Sequence, residues 1–179
     1  MKTSNERIVM GIDPGYAIIG YAVVAAQGNE LHMLACGVIT TPAGLAFPQR
    51  LQQIYARLSA LVDEYRPQEA AMEELFFGRN VTTAIAVAHA RGVAMLVLVN
   101  AGIAISEYKP SEVKLAVTGY GAAKKWQVGE MVRLLLHLQT IPQPDDAADA
   151  AAIAICHLHV THYSLQEETG EMYTLASHV

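Results

Sequence analysis

Asp13 follows the apolar run Ile8-Val9-Met10-Gly11-Ile12 and immediately precedes Pro14-Gly15. The run reads as a buried strand, and Pro-Gly as the turn that ends it. A carboxylate at the tip of a core strand is costly unless a cation, a metal or hydrogen bonds compensate it. Turn chemistry alone also places Asp at such positions. Glu73 and Glu74 interrupt a second short apolar run. Successive strand residues face opposite sides, so only one can join a given face, and parity does not say which. Asp145, Asp146 and Asp149 open an Ala-rich helical stretch. Residues three or four apart share a helix face, so Asp149 can act with either neighbour. The macrodipole favours acids at the start of any helix. Two on one face of an otherwise small and apolar helix call for a further reason. Clustered carboxylates raise one another's proton affinity. Divalent cations remove that penalty and take hard oxygen ligands. Two ions held roughly 4 Å apart can orient a water and stabilise both oxygens of a phosphoryl displacement.

The elements that must position these acids follow from periodicity. Three apolar runs, about 8–13, 17–25 and 31–40, read as sequential antiparallel strands. Pro48 opens a helix with Leu51, Ile54, Leu58, Leu61 and Tyr65 at helical spacing, and Pro67 ends it. A fourth strand covers 70–75. After the loop 76–80 comes a long Ala-rich helix to about Asn100, then a fifth strand over 103–108. Ser111 is the expected N-cap of a short helix over 112–117. Another helix carries Val128, Met131, Val132 and Leu135, and the last runs from about Asp145 to His162. Three meandering strands followed by alternating helices and strands indicate an α/β fold with a mixed sheet and flanking helices. The expected organisation is one domain over 1–163 with a loosely held acidic tail over 164–179.

Composition sets limits. The chain has 179 residues, 53% of them hydrophobic, and a net charge of −5. Setting aside the tail acids Glu167, Glu168 and Glu171 and four candidate-site acids from the 17 leaves 10, against 12 basic residues. From Lys109 to Arg133 the balance is positive, with Lys109, Lys114, Lys124, Lys125 and Arg133 against Glu112 and Glu130. Such a stripe can steer phosphates even on an acidic protein. The most apolar stretch, 81–99, is interrupted by His89 and Arg91, so no membrane span is expected. The N-terminus lacks the long apolar region of a signal peptide, which makes the cytoplasm the expected location. Cys36 and Cys156 read as reduced thiols. Seven histidines show no metal-ligand spacing and read as packing or surface residues.

Taken together, Gly11-Ile12-Asp13-Pro14-Gly15, Ala71-Met72-Glu73-Glu74-Leu75-Phe76, Gln127-Val128 and Asp146-Ala147-Ala148-Asp149-Ala150 resemble the RuvC family of Holliday-junction resolvases. Ala90-Arg91-Gly92-Val93-Ala94 and Val113-Lys114 fit it too, and the resemblance covers about residues 8–163. It implies a ribonuclease-H-like five-stranded sheet and a crossover junction endonuclease acting in recombination and repair. It implies that Asp13, Glu73, Asp146 and Asp149 are catalytic metal ligands, choosing Glu73 over Glu74 and Asp146 over Asp145. It further implies two Mg2+ ions per site, replaceable by Mn2+, and DNA contacts through Phe76, Lys114 and Lys125. The implied partners are four-way junction DNA, a second copy of the chain and a branch-migration helicase. The helix over 81–100, with Ala84, Ala88, Gly92 and Ala94, is the expected dimer face. Trp126 departs from the pattern: it reads as covering its own helix, with base stacking as the alternative. Two rival functions are an actin-like kinase, disfavoured by the missing second phosphate loop, and a non-enzymatic junction binder, disfavoured by the intact acid set.

Overall fold

In the computed structural model, which describes residues 6–15, 17–74 and 81–169, five strands form one sheet with helices on both faces. Strands β1 (Arg7–Asp13), β2 (Ile18–Gln27) and β3 (Glu30–Thr40) make an antiparallel meander. Helix α1 (Phe47–Tyr65) then leads to β4 (Glu69–Glu73), α2 (Val81–Asn100) to β5 (Ala104–Tyr108). The spatial order is β3-β2-β1-β4-β5, with β4 parallel to both β1 and β5. Helices α3 (Pro110–Thr118), α4 (Lys125–Leu135) and α5 (Asp145–Thr169) follow. Apart from the far end of α5, strand and helix positions agree with the sequence expectations to within a few residues.

Period-two alternation divides the core. Met10, Ile12, Ile19, Val23, Ala70 and Met72 face α1 and α2. Val9, Ala22, Val24 and Ala71 face α3, α4 and α5. α5 crosses the second face as a wholly buried helix from Ala150 to Leu158, and glycine makes its close approach possible. A Cβ on Gly11 would run into the Ala150 carbonyl, and one on Gly20 into the Asp146 carbonyl. The helix backbone therefore rests directly on the backbones of β1 and β2.

Three expectations need correction. Ser111 does not cap α3. Lys109 is the N-cap, Pro110 opens the helix, and Glu112 Oε2 accepts from the Lys109 amide at 2.8 Å. Proline's fixed φ suits the first helical position, and the Glu112 carboxylate satisfies a free amide there. The backbone of α5 continues past His162 to Thr169, into the stretch assigned to a tail. Ala94, assigned to a dimer face, is fully buried in the α1/α2 core.

Candidate active site

The parallel pairing of β1 and β4 ends with Ile12 beside Met72. One step further along each strand lie Asp13 and Glu73, at the carboxyl ends of adjacent parallel strands. Alternation puts both on the α5 side, in line with Gly11 and Ala71. Glu74 has left the strand, and its amide donates to the Tyr108 carbonyl at 2.8 Å. The register thus puts Glu73, not Glu74, on the Asp13 face, a placement strand parity alone left open. Gly20, the partner of Asp13 on β2, seats the start of α5, bringing Asp146 and, one turn on, Asp149 to the same strand ends.

The electrostatics show that the four acids share one environment. Asp13 is pushed up to about 7, first by burial and then by the carboxylates of Asp149, Glu73 and Asp146; Lys125 opposes the shift. Glu73 is also raised, by burial and by Asp149, with Lys114 pulling the other way. Both lysines implied by the resemblance therefore act on the acids. Lys125, the first residue of α4, donates from Nζ to Asp149 Oδ2 at 2.9 Å and pairs with Asp145 Oδ2 at 3.3 Å. These bonds raise its own proton affinity. Lys114 acts on Glu73 through its charge, since α3 starts at the end of β5, the strand beside Glu73.

Among the described residues, no three Asp, Glu, His or Cys side chains stand close enough together to enclose an ion. Asp149, Glu73 and Asp146 all act on Asp13 through their charges. The donor set still fits a hard divalent cation: it is all carboxylate oxygen, half-buried, and Asp13 carries an electrostatic penalty that a cation would remove. Lys125 relieves only part of it.

Phe76 lies outside the described residues. Trp126 does not cover its helix: its side chain is 64% exposed. It lines a groove of about 430 Å³ that also touches Lys125, Asp145 and Asp149. Cys36 and Cys156 are free thiols, and burial pushes Cys156 up to about 12.

A second constellation escaped the sequence reading. His157, 3% exposed, bonds through Nε2 to Glu69 Oε2 and through Nδ1 to the Tyr108 hydroxyl, both at 2.8 Å. A carboxylate only accepts, so Nε2 carries hydrogen and Nδ1 is free to accept from Tyr108. Arg7 clamps Glu69 with bonds of 2.8–3.0 Å and donates to Thr161 Oγ1 at 2.9 Å. The signal available was a histidine inside an otherwise small, apolar helical run. Its partners are 49 and 88 positions away, beyond any local pattern.

Comparison with known proteins places the chain in a family. Residues 9–157 match the family model described as "Crossover junction endodeoxyribonuclease RuvC". A protein of that name from Heliobacterium modesticaldum is 55% identical over 152 residues, covering 85% of this chain and 94% of the relative. One from Chloroflexus aurantiacus is 56% identical over 150 residues, covering 84% and 92%. The solved structure of Thermus thermophilus RuvC in complex with Holliday junction substrate aligns with a TM-score of 0.85 at 34% identity, covering 88% of this chain and 96% of that one. With a mixed sheet of ribonuclease-H-like order, an acid group at its carboxyl edge and relatives of this identity over nearly their whole length, the chain belongs to the RuvC family of crossover junction endodeoxyribonucleases.

Proposed function

We propose that this protein nicks four-way DNA junctions by hydrolysis at the site formed by Asp13, Glu73, Asp146 and Asp149. The observation that carries the reading is the grouping of these acids at one sheet edge, close enough for three of them to raise the proton affinity of the fourth. Family membership implies dependence on a divalent metal; the finer reading is two Mg2+ ions, with Mn2+ as a substitute. Bound there, such ions supply an activated water and Lewis-acid stabilisation of the charge that develops on the phosphate and its 3′ leaving oxygen. The residues divide the remaining work. Asp13, on a rigid strand end among the other acids, would hold the ions together with Glu73, Asp146 and Asp149. Lys125, paired with Asp149, and Lys114, whose charge acts on Glu73, are suited to take the backbone phosphates of the scissile strand. Phe76 is assigned to base contacts at the crossover on resemblance alone. Cleavage at the 3′ oxygen leaves 5′ phosphates and ligatable nicks.

A four-way junction has two-fold symmetry, so a C2 dimer would present two sites to opposed strands. The outer face of α2 suits that contact. Ile85, Leu96 and Val99 are more than half exposed. Ala88 and Gly92 border a groove of about 450 Å³, and a Cβ on Gly92 would meet nothing within 4 Å. A branch-migration helicase and a cytoplasmic setting complete the reading; no helix among the described residues is long and apolar enough to cross a membrane.

Asp146→Asn tests the assignment, because it removes a charge without changing bulk. The variant is expected to bind a synthetic four-way junction as the parent does, in a mobility-shift assay, and to lose magnesium-dependent nicking. Full nicking would remove Asp146 from the ligand set.

A further inference from the structure

We propose that Trp126 stacks on a nucleobase next to the scissile phosphate, a role that rests on the junction-nicking reading of the neighbouring acids. A packed tryptophan removes 150–250 Å² from water, yet this one is 64% exposed. Its helix buries Val128 and Val132 instead, so nothing in the packing of α4 requires an indole at this position. The side chain forms one wall of the groove of about 430 Å³ that ends at Lys125, Asp145 and Asp149. One helical turn along, Gly129 lines the same groove. A Cβ there would come within 3.1 Å of Ile141 Cγ2, which lines the groove too, so its absence leaves room between α4 and Ile141.

The occupant follows from continuity and chemistry. The groove reaches Asp149, one of the acids assigned to the reacting phosphate, beside the Lys125 ammonium. A strand whose phosphate lies at the acids must leave the site past one of its walls, and this wall offers an aromatic face. A cation for the backbone followed by an apolar plate for the base is how single strands are held without sequence readout. A nucleobase unpaired at the crossover presents the matching π-face. A peptide or lipid chain would find a cation at one end of this groove but no reason for it to open onto the acids.

The sequence holds one tryptophan, so intrinsic emission reports on this residue alone. The full-length Asp146→Asn protein, which should bind without cutting, is titrated with a synthetic four-way junction, and saturation is judged by mobility shift. Stacking predicts that Trp126 emission is quenched in step with binding. Trp126→Ala in the same background should bind the junction about 5- to 150-fold more weakly, the span of one base–aromatic stack, and Trp126→Phe should recover most of that loss. Unchanged emission at saturation, or Trp126→Ala binding within twofold of its parent, overturns the stacking role and leaves the nicking reading intact. A lowered melting temperature of Trp126→Ala with binding retained overturns it in favour of packing. If neither protein retains a junction at all, the function reading itself fails, and stacking with it.

Discussion

Strand β4 carries two glutamates on the same face, Glu69 at its start and Glu73 at its end, and they meet opposite fates. Burial raises the proton affinity of Glu69, but hydrogen bonds from His157 and Arg7, and the charge of Arg7, more than offset it, so the group ends below its ordinary value. Glu73 is half-buried too, but its strongest charged influence is another acid, Asp149, and it ends above. One end of the strand is electrostatically closed and the other is left in deficit. Fully partnered buried charge serves structure; uncompensated charge at a strand end is free to act on something from outside the protein. Four residues separate the two regimes, which only their partners distinguish.

The largest effect should come from neutralising each glutamate in turn. Glu73→Gln is expected to lower the nicking rate at least about 10³-fold, as the loss of several kcal/mol of charge stabilisation implies, while leaving stability unchanged or improved. Glu69→Gln is expected to lower stability by about 2 kcal/mol, by leaving Arg7 and His157 poorly partnered. Its nicking rate should stay within a few-fold at temperatures where it is folded. Urea titration and single-turnover cleavage separate the two; equal cleavage losses would erase the contrast.

The next effect concerns the seating of the deficient end. Gly20→Ala must push the start of α5 away from β2. Misplacement of reacting groups by about 1 Å can cost about 10²-fold in rate, and overpacking about 1–3 kcal/mol. A variant that cleaves normally would show that the acids do not depend on backbone contact at Gly20.

The smallest effect is a pH dependence without metal. Unfolded Asp13 ionises near 3.8 and folded Asp13 near 7. Below the lower value both states hold the proton and Asp13 costs nothing. As pH rises between the two, the unfolded chain releases its proton first, and native stability falls. Above 7 the full penalty stands, about 2 kcal/mol once solvent screening at the half-open site is counted. Asp13→Asn has no proton to lose. In chelator, urea midpoints at pH 5 and pH 8 should therefore fall further for the parent than for the variant, and added magnesium should restore the parent at pH 8. Parallel behaviour of the two proteins would refute the electrostatic deficit.

Most of the deficient end was legible in the sequence, because acids inside apolar runs stand out against their neighbours. Asp13 could be read from six consecutive residues. Glu73 against Glu74 could not, since alternation distinguishes faces but does not name them; the register with β1 was needed. The closed end was illegible for the opposite reason. Arg7, Glu69 and Tyr108 look ordinary in their local windows, and only the sheet brings them to His157. Ser111 misled because it is a good capping residue that lost to a proline beside it. Trp126 misled because apolar residues on helices usually pack, and this one is exposed.

α5 passes both ends of the sheet, and this sets how the chain can vary in length. Asp149 and His157 are eight residues apart, about 12 Å along the axis. Glycines seat the helix where the acids lie, and a buried histidine pins it further on. Inserting or deleting one residue between them would turn one end by about 100° against the other. Either the acids would swing off the strand tips or His157 would leave Glu69 and Tyr108. Substitutions in this stretch are judged one at a time by volume, but its length has a single allowed value. Gain or loss of residues in this family should therefore collect before Asp145, in the segment from 136 to 144, and not inside the helix.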